Sequence, residues 1–331
     1  MGENNDIYDV IIIGGGTTGL FTAFYCGMRN LKTKLIEFKS EFGGKVKQMF
    51  PDKLIYDVGG IPPITGDALV EQMKEQATLH HPTIIQNQWI EMIAKTNDGV
   101  FTLTSSDGAV HQAKTVILAT GNGRFDPIKL NLNHIEAFEA KSIHHTISNP
   151  QQFAGKKIMI ASSFKTGLEW ALALVNIAEK VYLVNRKNTF QKASEDDLQR
   201  LEKSSIMVRM DCNLQALRGE DGWLHEVTLE SEKGEEQIRV DHLLTFNGLQ
   251  MVSTPFESWG LDTDGGRVAV NHQMMSNIEG IFAAGDAAAY PGKTMLIASG
   301  YAEALSAVNS VAKYLNPKAP AQVYSTIIYR K

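Results

Sequence analysis

Along the first part of the chain, apolar residues arrive in short unbroken runs separated by glycine-rich turns. Residues 7–13 (IYDVIII) are rich in Val and Ile without polar alternation, the pattern of a strand buried on both faces. Residues 14–19 (GGGTTG) break the run, and 20–29 (LFTAFYCGMR) predict a helix that is apolar on most sides. A second strand, 33–37 (TKLIE), ends in an acid, and 113–121 (AKTVILATG) predict a further buried strand that closes on small residues. The order then repeats as strand 156–161 (KKIMIA), helix 168–178 (LEWALALVNIA) and strand 180–184 (KVYLV). Strand 241–248 (DHLLTFNG) resembles 113–121, strand 280–286 (GIFAAGD) ends at an acid, and 296–314 predict a long helix.

Two strand–helix–strand units in one chain imply an α/β protein with two Rossmann-like βαβ dinucleotide-binding domains. The late return to strands like the early ones implies that the second domain is inserted in the first. The expected division is 1–121 with 248–331 for one domain and 122–247 for the other. A length of 331 residues, 43% hydrophobic and 21% charged, suits two ordinary globular domains. The net charge of -5 argues against nucleic acid as a partner, since that affinity needs a basic face. A local basic patch would still be able to dock an acidic partner. No apolar run reaches about 18 residues, so no membrane span is expected. The start, MGENNDIYD, lacks the basic segment and cleavage site of a signal peptide. Its MG opens like a myristoylation signal, but Asp6 stands where Ser or Thr belongs. Only Cys26 and Cys212 occur, in different halves, which fits a reducing compartment; the expected location is cytoplasmic.

Gly14, Gly16 and Gly19 have G-x-G-x-x-G spacing between a strand and a helix, and Glu37 ends the next strand. Each residue has a physical task. Gly14 permits the tight turn, Gly16 lets a pyrophosphate approach the backbone, and Gly19 lets helix and strand pack closely. The helix N-terminus offers N–H groups and partial positive charge to phosphates. Glu37 can accept from ribose hydroxyls and repels a 2′-phosphate, which disfavours NADP here and leaves NAD and FAD open.

Longer stretches carry a resemblance. They are GGGTTG with Glu37, Gly43-Gly44-Lys45, Phe50-Pro51-Asp52-Lys53, Tyr56-Asp57-Val58-Gly59-Gly60, Ala119-Thr120-Gly121, 280–286, and Leu296-Ile297-Ala298-Ser299-Gly300. Over essentially the whole chain, this pattern resembles the ferredoxin–NADP reductases of the thioredoxin-reductase-like type. Lys45 and Ile61-Pro62 are also similar to the related bacterial iron-utilisation reductases, which act on ferric siderophores. The resemblance implies FAD in the first domain, with Gly14, Gly16, Thr18 and Glu37 on its ADP part. It implies Lys45 near the flavin and Phe50 stacked on one face of the ring. Asp57, Ile90 and Phe125 would line the flavin or adenine pocket, and Asp286 would hold the ribityl chain. Tyr324 would cover the other flavin face, with Thr326 just beyond. A homodimer and a one-electron acceptor (ferredoxin, flavodoxin or a ferric siderophore) are implied in the same way.

The family places NADPH in the inserted domain on a second glycine motif, and here the pattern breaks. This chain has Ser162-Ser163-Phe164-Lys165-Thr166-Gly167. Phe164 stands at the close-approach position, where a phenyl group collides with a pyrophosphate laid in the usual way. Arg186 and Lys187 remain at the end of the following strand, where cations favour a 2′-phosphate. Gln191 replaces an arginine of the family pattern, and Lys165 offers charge near the helix N-terminus. Two outcomes stay open: an FAD-dependent reductase using NADPH, or an FAD-holding electron carrier or redox sensor reduced by a partner protein. His80-His81 and His144-His145, taken as helix neighbours, point apart, so no metal site is expected. The absence of a Cys-x-x-Cys pair excludes dithiol chemistry of the thioredoxin-reductase kind.

Overall fold

The computed structural model describes residues 6–139, 141–147 and 149–329. The first five residues, with their myristoylation-like opening, lie outside that range. The chain divides into two compact units, Met1–Arg124 with Met251–Lys331, and Phe125–Gln250. The second unit is therefore inserted in the first, and the chain crosses slightly further along than the glycine-ended strands suggest.

The first unit is built on a seven-stranded sheet. Its order is Thr83–Ile85, Thr33–Ile36, Ile7–Ile13, Val110–Leu118, Phe101–Ser105 and Ile90–Lys95, with Ile281–Ala283 also pairing with Val110–Leu118. The strands around Ile7–Ile13 are parallel, and the hairpin from Ile90 to Ser105 joins antiparallel. Successive side chains of a strand point to opposite faces, so a strand covered on both sides must be apolar throughout. Val10 and Ile12 pack with Leu20 and Ala23 of helix Thr17–Met28 and with Val308 of helix Ile297–Leu315. Ile11 and Ile13 pack on the other face with Phe101, Phe256 and Trp259.

The second unit holds a five-stranded parallel sheet. Its order is Ile143–His144, His242–Phe246, Lys157–Ser162, Lys180–Asn185 and Met207–Met210. Helix Lys165–Leu174 covers one face, where Ile158, Ile160 and Leu244 meet Leu168, Ala171 and Leu174. A three-stranded antiparallel sheet, Asn213–Glu220, Trp223–Ser231 and Gly234–Arg239, supplies Leu224, Val227 and Leu229 to the other face. The apolar pattern did not announce that sheet, because its strands are largely exposed and rich in Glu.

Two histidine pairs differ from expectation. Helix Gly66–Thr78 ends before His80, and His81 takes a left-handed backbone angle, φ 51°. His144 lies on a strand, and its Nε2 is 3.1 Å from Nδ1 of His242 on the paired strand. Among the described residues no group of three or more His, Cys, Asp or Glu is placed to hold a metal ion. No helix among them is long and apolar enough to cross a membrane.

Candidate dinucleotide sites

Strand Ile7–Ile13 runs straight into the first glycine turn, and Gly16 is the N-cap of helix Thr17–Met28. Gly14 has φ 104°, and a Cβ there would lie 2.4 Å from the carbonyl oxygen of Ala119. A Cβ on Gly19 would lie 1.8 Å from the oxygen of Gly14. Those two glycines serve the turn itself. Gly16 differs: its φ is -70°, and a Cβ would find nothing nearer than Gly44 Cα at 3.9 Å. The backbone is thus bare on the side open to a ligand, and no side chain caps the helix. Thr120, at the end of the neighbouring strand, keeps a buried Oγ1 without a hydrogen-bond partner among the described residues. An open turn, an uncapped helix N-terminus and an orphaned hydroxyl fit a dinucleotide diphosphate.

Glu37 is 3% exposed. Its Oε2 accepts from the Gly15 N–H at 2.6 Å and its Oε1 from the Lys39 N–H at 2.9 Å. Burial pushes its carboxyl up from the usual range, against the pull of these N–H groups. A carboxylate has about four lone-pair sites, so acceptor capacity remains for a ribose.

The other expected FAD residues, Phe125 apart, belong to the same unit. Lys45 Nζ lies 3.8 Å from Asp286. Thr18 Oγ1 sits where a Cβ on Gly285 or Gly300 would fall, at 2.6 and 2.4 Å, so those glycines let the Asp286 turn and helix Ile297–Leu315 close on helix Thr17–Met28. Phe50 follows helix Gly44–Met49, is 37% exposed, and has Lys53 Nζ 5.5 Å from its ring centre. Asp57 is exposed. The Ile90 side chain is 2% exposed and packed in the core, which closes it to a ligand. Phe125 lies on strand Arg124–Pro127, at the start of the second unit.

The C-terminal tail is placed elsewhere. Tyr324 is 54% exposed beside Gln322, and exposed Thr326 lies in the short helix Ser325–Ile328. Tyr329 hydrogen-bonds His80 at 2.5 Å, and a Cβ on Gly27 would strike the His80 ring, so the tail docks at the far end of helix Thr17–Met28. Among the described residues no ring contact joins Tyr324 to Phe50.

Sequence patterning overlooked a polar cluster under the Asp286 turn. Glu303, 4% exposed, accepts from the Gly285 N–H at 2.7 Å, from Tyr290 at 2.6 Å and from Lys293 at 2.5 and 2.7 Å. Burial and Glu303 together push the Tyr290 hydroxyl up to about 12. The available signal was an acid on the buried stripe Gly300, Ala304, Ala307 and Val308.

The second unit repeats the arrangement with other residues. Strand Lys157–Ser162 leads to Phe164, the N-cap of helix Lys165–Leu174. Ser162 Oγ accepts from the Phe164 N–H at 3.1 Å, and Gln191 accepts from the Lys165 N–H at 2.9 Å. Lys165 Nζ is held 2.8 Å from Asp197 and 3.6 Å from Glu169, so its charge is already balanced. Arg186 and Lys187 are exposed just beyond strand Lys180–Asn185. The cations suit a 2′-phosphate, but this turn does not offer the bare backbone of the first.

The family model of the pyridine nucleotide-disulphide oxidoreductases matches residues 8–309. The chain belongs to this family of oxidoreductases. Within it, the chain is 39% identical over 322 residues to a ferredoxin–NADP reductase of Geobacillus thermodenitrificans, covering 97% of this chain and 96% of that protein. It is 40% identical over 332 residues to ferredoxin–NADP reductase 2 of Bacillus subtilis, covering 99% of each. The thioredoxin reductase of Lactococcus lactis shares the two-domain fold, with a TM-score of 0.60 at 23% identity, over 93% of this chain and 99% of that one. The resemblance to thioredoxin-reductase-like ferredoxin–NADP reductases thus holds over nearly the full length. FAD and NADPH are the cofactors of this family. Its disulphide chemistry has no counterpart here: Cys26 and Cys212 are the only cysteines, both are buried, and they lie in different units.

Proposed function

We propose that the chain is an FAD-dependent reductase that takes electrons from NADPH and passes them singly to ferredoxin. The bare turn at Gly16 carries the proposal, because it is where the diphosphate of a resident dinucleotide can lie against backbone N–H groups. FAD, when bound, supplies the exchange between two-electron and one-electron transfer; the protein supplies position and electrostatics.

Gly14 and Gly19 hold the turn, Thr18 fixes its distance from Gly285 and Gly300, and Glu37 accepts from the adenosine ribose. Ile90 meets the nucleotide through its backbone. Asp286 holds the ribityl chain with Lys45 beside it, and Glu303 keeps that turn in place through Gly285. Phe50 would stack on the ring, with Asp57 near it. Tyr324 and Thr326 complete the cover in a homodimer. Arg186 and Lys187 select NADPH over NADH. The protein works in the cytoplasm.

Anaerobic titration of the purified yellow protein with NADPH and NADH in parallel tests the donor. Bleaching by NADPH at a rate well above that with NADH is expected; flavin that stays oxidised refutes it. Ferredoxin, flavodoxin and a ferric hydroxamate offered in turn test the acceptor, with ferredoxin expected to be reduced fastest. Phe164 favours one alternative, an FAD-holding carrier or redox sensor reduced by a partner protein. In that case, the flavin stays oxidised under NADPH yet is bleached by dithionite.

A further inference from the structure

The two units allow an internal comparison. Each has a strand, a tight turn and a helix, with Gly16 and Phe164 as corresponding N-caps. Each turn is bridged in parallel by the following loop, Gly16 with Gly43 and Phe164 with Gln191. Each helix has a glycine without room for a Cβ, Gly19 against Gly14 and Gly167 against Ser162 at 2.2 Å. The register is therefore shared, and the difference lies at the N-cap.

Where Gly16 leaves open space, Phe164 carries a ring. That ring meets Phe246 edge-on, with centroids 5.8 Å apart, and its tip is 3.6 Å from where a Cβ on Gly248 would stand. Phe246 in turn meets Trp170 edge-on at 5.7 Å. Ser162 and Phe246 are register partners at the carboxyl ends of adjacent strands. The ring thus spans the crevice at the point where the strand order reverses, the place a dinucleotide crosses in open α/β sheets. Between Phe246 and Gly248, Asn247 keeps a buried Nδ2 with no hydrogen-bond partner among the described residues. It corresponds to Thr120, the orphaned hydroxyl beside the first turn. A buried amide donor without an acceptor is costly, and a phosphate oxygen would relieve it.

We propose that Phe164 is the affinity-setting residue of the pyridine-nucleotide site, its ring occupying the place of the diphosphate. NADPH then binds first through its 2′-phosphate on Arg186 and Lys187 and seats its diphosphate only when the ring is displaced. This rests on the function proposed above, and it accounts for a member of the family without a glycine at this position.

The test uses the FAD-loaded full chain and titration calorimetry with NADP⁺ and with adenosine 2′-monophosphate, which has no diphosphate. Phe164→Gly is expected to tighten NADP⁺ at least tenfold and to leave adenosine 2′-monophosphate within twofold. Phe164→Leu keeps bulk at the site and should change NADP⁺ affinity less than threefold. Asn247→Ala added to Phe164→Gly should remove most of the gain. If Phe164→Gly does not fold, as judged by thermal melting, Phe164→Ala replaces it. NADP⁺ affinity unchanged from a measurable wild-type value overturns the inference alone. Equal tightening of both ligands also overturns it, because the effect then lies outside the diphosphate place. No NADP⁺ binding by either protein overturns it together with NADPH as donor.

Discussion

At the scale of single residues, the first turn separates two roles that one motif confounds. Gly19 and Gly14 are needed by the fold, since a methyl at either meets backbone oxygen well inside contact distance. Gly16 has an ordinary φ and open space, so its bareness serves the ligand. Gly19→Ala is expected to destabilise the first unit by about 1–3 kcal/mol, as overpacking does, measured by denaturant unfolding. Gly16→Val should melt within a few degrees of wild type as apoprotein yet lose FAD affinity at least tenfold, read by fluorescence on reconstitution. A large loss of apoprotein stability would show that Gly16 is structural as well. Glu303 is a different case, an acid that holds a turn and neutralises a buried lysine, Lys293, only 8% exposed at its side chain. Glu303→Gln leaves that charge uncompensated and should cost about 3–5 kcal/mol. Adding Lys293→Met should recover part of the loss; a double variant no more stable than the single one would mean the pair is not coupled.

Among the elements, the five-stranded sheet carries a pH dependence. His144 and His242 meet across paired strands and against Phe153. Burial, with His242 and His145 nearby, pushes the His144 imidazole down to about 4. Burial also lowers His242, with Asp241 opposing and Lys156 assisting. Glu139 and Thr245 face His145 beside them. In the folded unit the His144 and His242 rings resist protonation, whereas the unfolded chain takes up protons near pH 6.5. Their contribution to stability is therefore complete above about pH 6.5 and is lost as pH falls toward 4. Melting of the second unit should drop by several degrees between pH 7.5 and pH 5, and His144→Phe should flatten that dependence. An equal drop in the variant would place the titrating groups elsewhere, His111 of the first unit being the next candidate because its pKa is also pushed down to about 4.

For the whole molecule, the two strand–turn–helix units differ at the turn and at the end of the following strand. One has a bare turn and an acid at the end of its second strand; the other has a ring at the turn and two cations beyond its strand. On the proposed function, discrimination between NADPH and NADH would depend on charge at the adenosine end rather than on the turn. Arg186→Ala with Lys187→Ala should reduce the ratio of flavin reduction rates, NADPH over NADH, by about tenfold, a loss of roughly 1.4 kcal/mol of selectivity. Stopped-flow bleaching under anaerobic conditions reads it, and an unchanged ratio would remove both cations from recognition.

The residue order alone determined the two βαβ units, because the buried part of a parallel strand, such as 10–13, must be apolar throughout and glycine turns must break it. It also located the first dinucleotide turn and the departure at Phe164, since both depend on which residues have no Cβ. It set helix starts too late: 20 rather than Thr17, and 168 rather than Lys165. Gly16 and Phe164 cap without a side-chain bond, so no Ser or Asp marks the boundary. Only the tertiary structure decided what depends on distant parts of the chain meeting. The Lys293–Glu303 pair forms through a turn and a helix, and the His144–His242 contact through strand pairing. The Phe164 ring finds Phe246 and Gly248 through sheet register, and the tail reaches His80 rather than Phe50. Periodicity reports which face of an element is buried; it does not carry the partner that each buried polar group will find.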